Sequence, residues 1–294
     1  MRIVLISGSN SGFGAECAAA FAANGDRVIA TARDPSTHPL AGRDGIELRA
    51  LDVTDGASID ACVSGVLNDH GRIDVLVNNA GIHLLGAIED MDEAAFRRVL
   101  ETNFFGAIRL ARAVLPSMRE HGSGHVISVS SIGARVGRVI DGAYCASKAA
   151  LEMAMEALRY EVARFGVRVS VVSPGAYRTG IKRRFESKPE HTGDSPYAAL
   201  QAFRYRKVHE SVAGGGDPQE VASAILDISH DPDPPFRHVI GEMAELMDRT
   251  LDEADAAGRA EMLTRLSGID WWLEGRDGPE EGPAGGDPSG DSQS

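Results

Sequence analysis

The chain has 294 residues, of which 43% are hydrophobic and 25% are charged, and its formal net charge at pH 7 is −13. These proportions are those of an ordinary globular protein. The excess of acids argues against nucleic acid and anionic membranes as partners, because phosphate binding needs a basic surface. The three cysteines, Cys17, Cys62 and Cys145, lack metal-ligand spacing and indicate reduced thiols. The N-terminal apolar run is too short for a signal peptide, and no stretch approaches the roughly 18 apolar residues of a membrane span. We therefore expect a cytoplasmic protein without a metal site.

Short apolar segments alternate with amphipathic ones from the N-terminus onward. Their continuous Val, Ile and Leu runs are typical of strands covered on both faces, as in parallel sheets. The alternation predicts right-handed βαβ units and an α/β fold, a doubly wound parallel sheet of the Rossmann type with helices on both faces. Strands are predicted near 2–7, 27–32, 46–51, 73–78, 125–130 and 167–173, and helices near 14–24, 57–69, 92–120 and 145–165.

After residue 180 the sequence changes character. Residues 180–216 mix Gly, Pro, bases and aromatics without a strand pattern, which predicts a helical excursion that serves as a substrate lid within a single domain spanning 1–275. A helix over 217–229 and a possible last strand in PPFRHVIG follow. Residues 276–294 are acidic, low in complexity and nearly devoid of apolar side chains, so they are predicted to form a disordered tail.

Two features of the C-terminal third allow more than one interpretation. Lys182, Arg183 and Arg184 would suit recruitment of an anionic substrate or an acyl carrier protein, although a run of charges is usually a solvated face. Trp271 and Trp272 would pack either on their own subunit or on a neighbouring one.

The segment SGSNSGFG (7–14) joins the first predicted strand to the first predicted helix. Glycines there permit a tight turn and let the backbone approach a pyrophosphate at the helix N-terminus. Such a segment can be only a turn, but its position directly after the first strand favours a nucleotide site. The residues predicted to contact the cofactor here are Gly8, Asn10, Ser11, Gly12, Phe13 and Gly14.

The second predicted strand ends in IATARDP. Dinucleotide sites that take NAD usually place an acid here for the ribose 2′-hydroxyl, whereas an Arg accommodates a 2′-phosphate. Thr31 is predicted to occupy the place of the acid, and Arg33 is close enough to meet a phosphate. Asp34 is counter-evidence, but we expect it to lie past the contact point. The pattern favours NADP(H) over NAD(H).

The motif YCASK (144–148) precedes an Ala-rich helical run. Tyr144 and Lys148 are one turn apart and share a helix face, with Cβ atoms about 5–6 Å apart. Taken alone, such a pair is more often a solvated helix end in which the lysine extends past an aromatic ring. The alternative is catalytic, because an ammonium at about 4 Å would supply roughly the free energy needed to bring the pKa of a phenol from about 10 toward 7.

Five further motifs follow the glycine turn in order: LDVTD (51–55), NNAG (78–81), TNFFG (102–106), VSSIG (129–133) and SPGAYRT (173–179). With the glycine turn and YCASK, the chain resembles the short-chain dehydrogenase/reductase family, in its branch with an Asn-Ser-Tyr-Lys tetrad. The resemblance is strong over 2–180 and weak over 217–245. It implies an NADP(H)-dependent oxidoreductase that transfers hydride between the nicotinamide and a ketone or secondary alcohol, most naturally as ketone reduction. An NAD-dependent alcohol dehydrogenase and a non-catalytic NADP(H)-sensing protein remain the alternatives.

The resemblance also implies site residues. In the tetrad of Asn103, Ser131, Tyr144 and Lys148, the tyrosine would be the general acid or base and the lysine would also hold the nicotinamide ribose. Ser131 would bind the substrate oxygen, and Asn103 would hold a water that links Lys148 to solvent. Ser131 is preferred to Ser130 because of its spacing to Tyr144. The remaining implied cofactor contacts are Asp52, Val53, Asn79, Ala80, Gly81, Tyr144, Lys148, Pro174, Gly175 and Thr179.

The remaining expectations concern Tyr177, His83 and the interface between subunits. Tyr177 is a pocket candidate. His83, just past NNAG, could also line the pocket, although a surface or capping role is more common for such a residue. The implied partners are a small carbonyl or alcohol substrate and other copies of the chain, as a homodimer or homotetramer. Its interface would lie on the helices near 92–120 and 145–165, where the small residues that permit close approach are Ala146, Ala149, Ala150, Ala154 and Ala157.

Overall fold

A parallel sheet forms the centre of the computed structural model, which describes residues 1–179 and 195–279. Its strands are β1 (Ile3–Ile6), β2 (Arg27–Ala32), β3 (Ile46–Ala50), β4 (Val75–Asn78), β5 (Gly124–Val129), β6 (Val167–Pro174) and β7 (Arg237–Ile240). The sheet order is β3-β2-β1-β4-β5-β6-β7, and all neighbouring strands are parallel. Successive strands are added on one side of β1 as far as β3 and then, from β4 onward, on its other side. Doubly wound folds bind ligands at this switch point between β1 and β4.

Helices cover both faces of this sheet. One apolar layer lies between the sheet and the second, fourth and fifth helices, and the other between the sheet and the first and seventh. The described helices are α1 (Gly12–Ala23), α2 (Gly56–His70), α3 (Glu93–Leu100), α4 (Gly106–Glu120), α5 (Gly142–Val162), α6 (Ala198–Ala213), α7 (Pro218–His230), α8 (Glu242–Glu253), α9 (Ala256–Ser267) and α10 (Asp270–Leu273).

The predicted fold class is confirmed, with differences in detail. The helix predicted near 92–120 is two helices, α3 and α4, joined by a π-helical segment, Glu101–Phe105. The last three helices were not predicted from the sequence, because α8 and α9 bury few residues and α10 is only four residues long.

The C-terminal predictions are only partly covered by the described residues. The end of the predicted lid forms α6, whereas residues 180–194, with their three consecutive bases, and residues 280–294 of the predicted tail lie outside the described residues. Trp271 is buried and packs edge-on against Phe203 of α6, with ring centroids 5.5 Å apart, so it packs on its own subunit. In the described ranges, every helix is too short or too polar to cross a membrane.

Candidate active site

A cavity of about 320 Å³ opens at the carboxyl ends of the central strands. Residues from several of the predicted motifs line it, together with parts of α6 and α8. The predicted site residues on its wall are Gly8, Ser11, Gly12, Phe13, Asn79, Gly81, Ser131, Tyr144, Lys148, Pro174, Gly175 and Thr179. The other predicted site residues lie behind or beside this wall: Asn10, Gly14, Thr31, Arg33, Asp52, Val53, Ala80 and Asn103.

The glycine turn between β1 and α1 is built against the end of β4. Gly8 has φ +66°, and a Cβ there would lie 2.9 Å from Cα of Ala80. A Cβ at Gly14 would collide with the Asn79 amide, which itself donates to the carbonyl oxygens of Ser7 (2.9 Å) and Gly8 (3.0 Å). Larger residues would therefore disrupt this packing.

The start of α1 fits a bound pyrophosphate. Its N-cap residue, Ser11, makes no side-chain capping hydrogen bond, and no acid lies in the first turn. The first N–H groups of the helix are thus left for an anion, which the helix dipole also favours. Gly12, with φ +56°, packs on Thr179 from the loop after β6, so the turn and the far side of the cavity meet here. These residues fit the dinucleotide expected from the sequence.

The structure corrects the position of Thr31. This residue is fully buried, and its hydroxyl donates to the carbonyl oxygen of Ile6 at 2.9 Å. Its own carbonyl accepts from the backbone N–H of Ser9 at 2.8 Å, so Thr31 supports the glycine turn from behind. It is therefore not placed to contact a ribose, because its side chain lies between strands.

Arg33 follows β2, and Asp52 follows the neighbouring strand β3. Arg33 is exposed. Burial acts to raise the pKa of Asp52, but hydrogen bonds from Thr54 and the charge of Arg33 outweigh it and lower this pKa. Asp34 turns away into a local turn, where its carboxylate accepts from the backbone N–H (2.9 Å) and hydroxyl (2.6 Å) of Ser36. Val53 packs against Gly106 of α4, where a Cβ would lie 2.9 Å from its side chain.

Tyr144 and Lys148 share one face of α5, as their spacing predicts. The Lys148 ammonium is buried and donates to the carbonyl oxygen of Val129, at the end of β5, at 2.8 Å. It lies 5.8 Å from the centroid of the Tyr144 ring. Burial lowers the pKa of Lys148 to about 8, against the opposing charge of Glu152.

A second cation, Arg138, lies as near to the Tyr144 ring as the lysine expected from the sequence. Burial raises the pKa of Tyr144 to about 12, and the charge of Arg138 and the nearby Ser131 hydroxyl act in the opposite direction. The Arg138 guanidinium carbon lies 6.0 Å from the tyrosine ring centroid. Tyr144 thus lies between two cations, Lys148, which is hydrogen-bonded to Val129, and Arg138.

Ser131 stands directly after β5. Its hydroxyl oxygen accepts from the backbone N–H of Gly133 at 3.1 Å and caps the short 3₁₀ turn Ile132–Ala134, which fixes the side chain. Ser130 also lines the cavity, but its buried hydroxyl has no hydrogen-bond partner among the described residues.

Asn103 lies in the π-helical segment, a type of irregularity that is frequent at functional sites. Its Oδ1 accepts from the N–H of Ile82 at 2.8 Å, while its Nδ2 donates to the carbonyl of Ile82 (2.9 Å) and to the hydroxyl of Ser147 (3.0 Å). A Cβ at Gly81 would lie 3.2 Å from Asn103 Oδ1 and 3.7 Å from Lys148 Nζ. Asn103 therefore braces the chain after β4 beside the lysine.

Several side chains surround Tyr144, and sequence reasoning considered only His83 among them. The surface or capping role preferred for His83 is wrong, because this residue is buried and lines the cavity. The His83 ring stacks on the Tyr144 ring with centroids 4.2 Å apart, and His83 Nε2 lies 2.5 Å from a carboxylate oxygen of Asp141. Arg138 contacts the same carboxylate, and Arg204 from α6 also lines the cavity. None of these residues follows a periodic pattern, so only the nearness of His83 to NNAG could have drawn attention to them. Tyr177 lines the cavity as proposed and donates to Glu220 at 3.0 Å.

Known proteins resemble this chain over most of its length. The family model for short chain dehydrogenases matches residues 2–190. The chain is 36% identical over 247 residues to the 3-ketodihydrosphingosine reductase of Bacteroides thetaiotaomicron, covering 84% of this chain and 90% of that protein. It is 36% identical over 255 residues to retinol dehydrogenase 8 of Homo sapiens, covering 80% of each.

Solved structures give the same result. A short-chain dehydrogenase from Streptomyces avermitilis matches with a TM-score of 0.77 and 38% identity, covering 94% of this chain and 99% of that one. A short chain dehydrogenase from Burkholderia cenocepacia in complex with NADP matches with a TM-score of 0.72 and 26% identity, covering 90% and 99%. With the fold and the arrangement of its cavity, these matches show that the chain belongs to the short-chain dehydrogenase/reductase family of oxidoreductases.

Proposed function

We propose that this protein is an NADP(H)-dependent oxidoreductase that transfers hydride between the nicotinamide and a ketone or secondary alcohol, working as a ketone reductase. One observation carries this proposal: Ser131, Tyr144 and Lys148 line the same cavity as the glycine turn. One relative is named as a reductase of a keto compound and another as a dehydrogenase of an alcohol, which supports carbonyl and alcohol chemistry.

The side chains around the cavity suit proton delivery to a carbonyl oxygen. The bound cofactor supplies the hydride. With its pKa raised to about 12, Tyr144 stays protonated at neutral pH and donates its proton to the oxygen that gains charge. Arg138 stabilises the phenolate that is left, and Ser131 donates a hydrogen bond to the same substrate oxygen.

Lys148 has two roles in this proposal. Its ammonium, held by the carbonyl oxygen of Val129, faces the cavity and would bind the ribose hydroxyls. With a pKa of about 8, it exchanges a proton near neutral pH and can restore the proton that Tyr144 gives up. Asn103 keeps the neighbouring backbone in place, and a water on its oxygen would connect Lys148 to solvent.

The preference for NADP(H) rests on the end of β2. Arg33 is exposed and makes no ion pair with any described acid, so its guanidinium is available to a 2′-phosphate, which it can meet through two charge-assisted hydrogen bonds. Asp34, the acid that would favour NAD(H), has its carboxylate engaged by Ser36. Because this acid is engaged, an NAD-dependent alcohol dehydrogenase ranks second to the NADP(H)-dependent enzyme.

The test is the ratio of kcat/KM with NADPH to that with NADH, measured with a panel of ketones by nicotinamide absorbance. We expect the wild type to reduce ketones and to favour NADPH. Arg33→Ala should lower the ratio about 10- to 100-fold, because it removes charge-assisted hydrogen bonds to the phosphate.

Arg43→Ala is the matched control, since Arg43 is also an exposed arginine but lies in the loop before β3. It should leave the ratio unchanged. A wild-type preference for NADH, or equal ratios in the two variants, would overturn the NADP(H) assignment. Binding of NADPH without turnover of any ketone or alcohol would favour the sensing protein.

A further inference from the structure

The wall of the cavity carries two arginines, and the proposed reaction uses only one of them. Arg138, from the loop before α5, and Arg204, from α6, both line this wall. The charged groups that act on Arg204 are Arg138, Asp141 and Cys145, which lie around the start of α5. The two arginines therefore lie near each other and near Tyr144, and neither belongs to the glycine turn that fits the pyrophosphate.

The charges on this wall do not balance. Arg138 contacts the Asp141 carboxylate at 2.5 Å, and Asp141 is fully buried. Arg204 is only 8% exposed and forms no ion pair within 4.0 Å with any acid in the described residues, and its Nε has no hydrogen-bond partner there. One of the two guanidinium groups thus has a carboxylate partner and the other has none, and none of the described residues on the cavity wall is an Asp or Glu.

An uncompensated buried cation is costly unless an anion joins it. Burial and the like charge of Arg138 together lower the pKa of Arg204, as expected for a cation that lacks a partner. A guanidinium presents its N–H groups in a planar fork that matches a carboxylate or a phosphate. Because only one of the two guanidinium groups lacks a carboxylate partner, a monoanionic carboxylate balances the pair, whereas a phosphate monoester would bring about one charge too many.

The rest of the cavity specifies the body of the ligand. The walls beside Arg204 are largely apolar, with Val208 and Val212 from α6 and Met243 and Met247 from α8. An uncharged, apolar skeleton fits such a surface. Arg138 lies 6.0 Å from the tyrosine ring centroid, which places the anion within a few bonds of the reacting carbon.

From these observations we infer that Arg138 and Arg204 form an anion subsite and that the substrate is a keto acid with an apolar skeleton, whose carboxylate binds the two guanidinium groups while its ketone faces Tyr144. This inference rests on the proposed function, because it names the substrate class of the same site. Arg204 determines specificity, and Arg138 both binds the anion and acts on Tyr144.

The experiment compares straight-chain keto acids with their methyl esters, which keep the ketone but lose the charge. Wild-type kcat/KM should be higher for the acids. Arg204→Met should reduce the ratio of kcat/KM for the acid to that for the ester about 10- to 100-fold, mainly through KM. The substitution removes the charge-assisted contact but keeps a side chain of similar length. Arg204→Lys keeps the charge and should restore part of the ratio, which a purely structural role would not do. Arg206→Met, an exposed position on the same helix, should change neither rate.

The outcomes separate this inference from the proposed function. Reduction of ketones with no preference for the acids, or an Arg204→Met variant with the wild-type ratio, would overturn the anion subsite alone. A large loss of NADPH affinity in Arg204→Met, measured by fluorescence titration, would assign Arg204 to the cofactor and also overturn it. Stronger turnover of keto phosphate esters than of keto acids would contradict the monoanion argument. Failure of every ketone and alcohol, with NADPH still bound, would contradict the proposed function instead.

Discussion

Lys148 occupies a place that costs folding free energy. Its ammonium is buried and has no carboxylate within ion-pairing distance among the described residues; it donates a hydrogen bond to a backbone carbonyl oxygen. Burial lowers its pKa from 10.5 to about 8, which means that the folded protein holds this proton less tightly than the unfolded chain. Such a cost is typical of a residue kept for its chemistry rather than for stability.

The pH dependence of stability reports this cost. Below pH 8 Lys148 is charged in both states and its penalty is complete; between pH 8 and 10.5 it is neutral in the folded protein only, so stability rises with pH. Lys148→Met should therefore stabilise the protein by about 3 kcal/mol at pH 7, less the lost hydrogen bond, with the gain fading toward pH 10. Urea unfolding of both proteins at the two pH values measures this, and a difference that does not change with pH would contradict the buried charge.

Thr31 and Arg138 show which features of a site a sequence pattern cannot identify. A motif gives the order of residues along a strand, but the side of the strand that faces the cofactor depends on the neighbouring strands; Thr31 turned out to bond Ile6 between β1 and β2. Arg138 acts on Tyr144 from a loop without periodicity, and Arg204 comes from a distant helix. Contacts of this kind depend on tertiary packing and are not encoded in a local pattern.

At the scale of elements, α5 has two different faces. The inner face carries Tyr144 and Lys148 and packs on the sheet, with Leu151 and Met155 fully buried. The outer face leaves Met153 58% exposed and Tyr160 74% exposed. Among the alanines predicted to allow close approach, Ala146 and Ala157 are exposed on this outer face, and the other three are partly exposed. An apolar helix face of this kind suits a second copy of the chain, so we keep the proposal of a homodimer or homotetramer.

The outer face can be tested by charge. Met153→Arg should shift the protein toward monomer and raise the dissociation constant at least about tenfold, because a twofold axis would bring two such charges together. Leu266→Arg, on α9, is the control at another exposed apolar residue and should leave assembly unchanged. Light scattering at micromolar concentration distinguishes these outcomes, and a wild-type monomer would contradict the proposal.

At the scale of the molecule, one half of the chain supplies the chemistry and the other closes the cavity. The strand ends and turns up to residue 179 carry the predicted motifs, and these were readable because glycines, short polar motifs and buried strands recur in fixed order. A helical lid over 180–216 was expected, but the side chains of α6 and α8 that line the cavity could not be predicted, because any apolar helix could form such a wall. Trp271 of α10 packs on Phe203 and so supports α6 from outside, a contact that no sequence pattern indicated.

Proton donation by Tyr144 is the central claim, and it has a direct measurement. With NADPH bound beforehand, mixing with ketone under single-turnover conditions gives the rate of hydride transfer. Tyr144→Phe removes the transferable proton while keeping the ring that stacks on His83, so the rate should fall about 10²- to 10⁴-fold. The dissociation constant for NADPH should stay within a few-fold of the wild type. A variant that transfers hydride at nearly the wild-type rate would contradict the account.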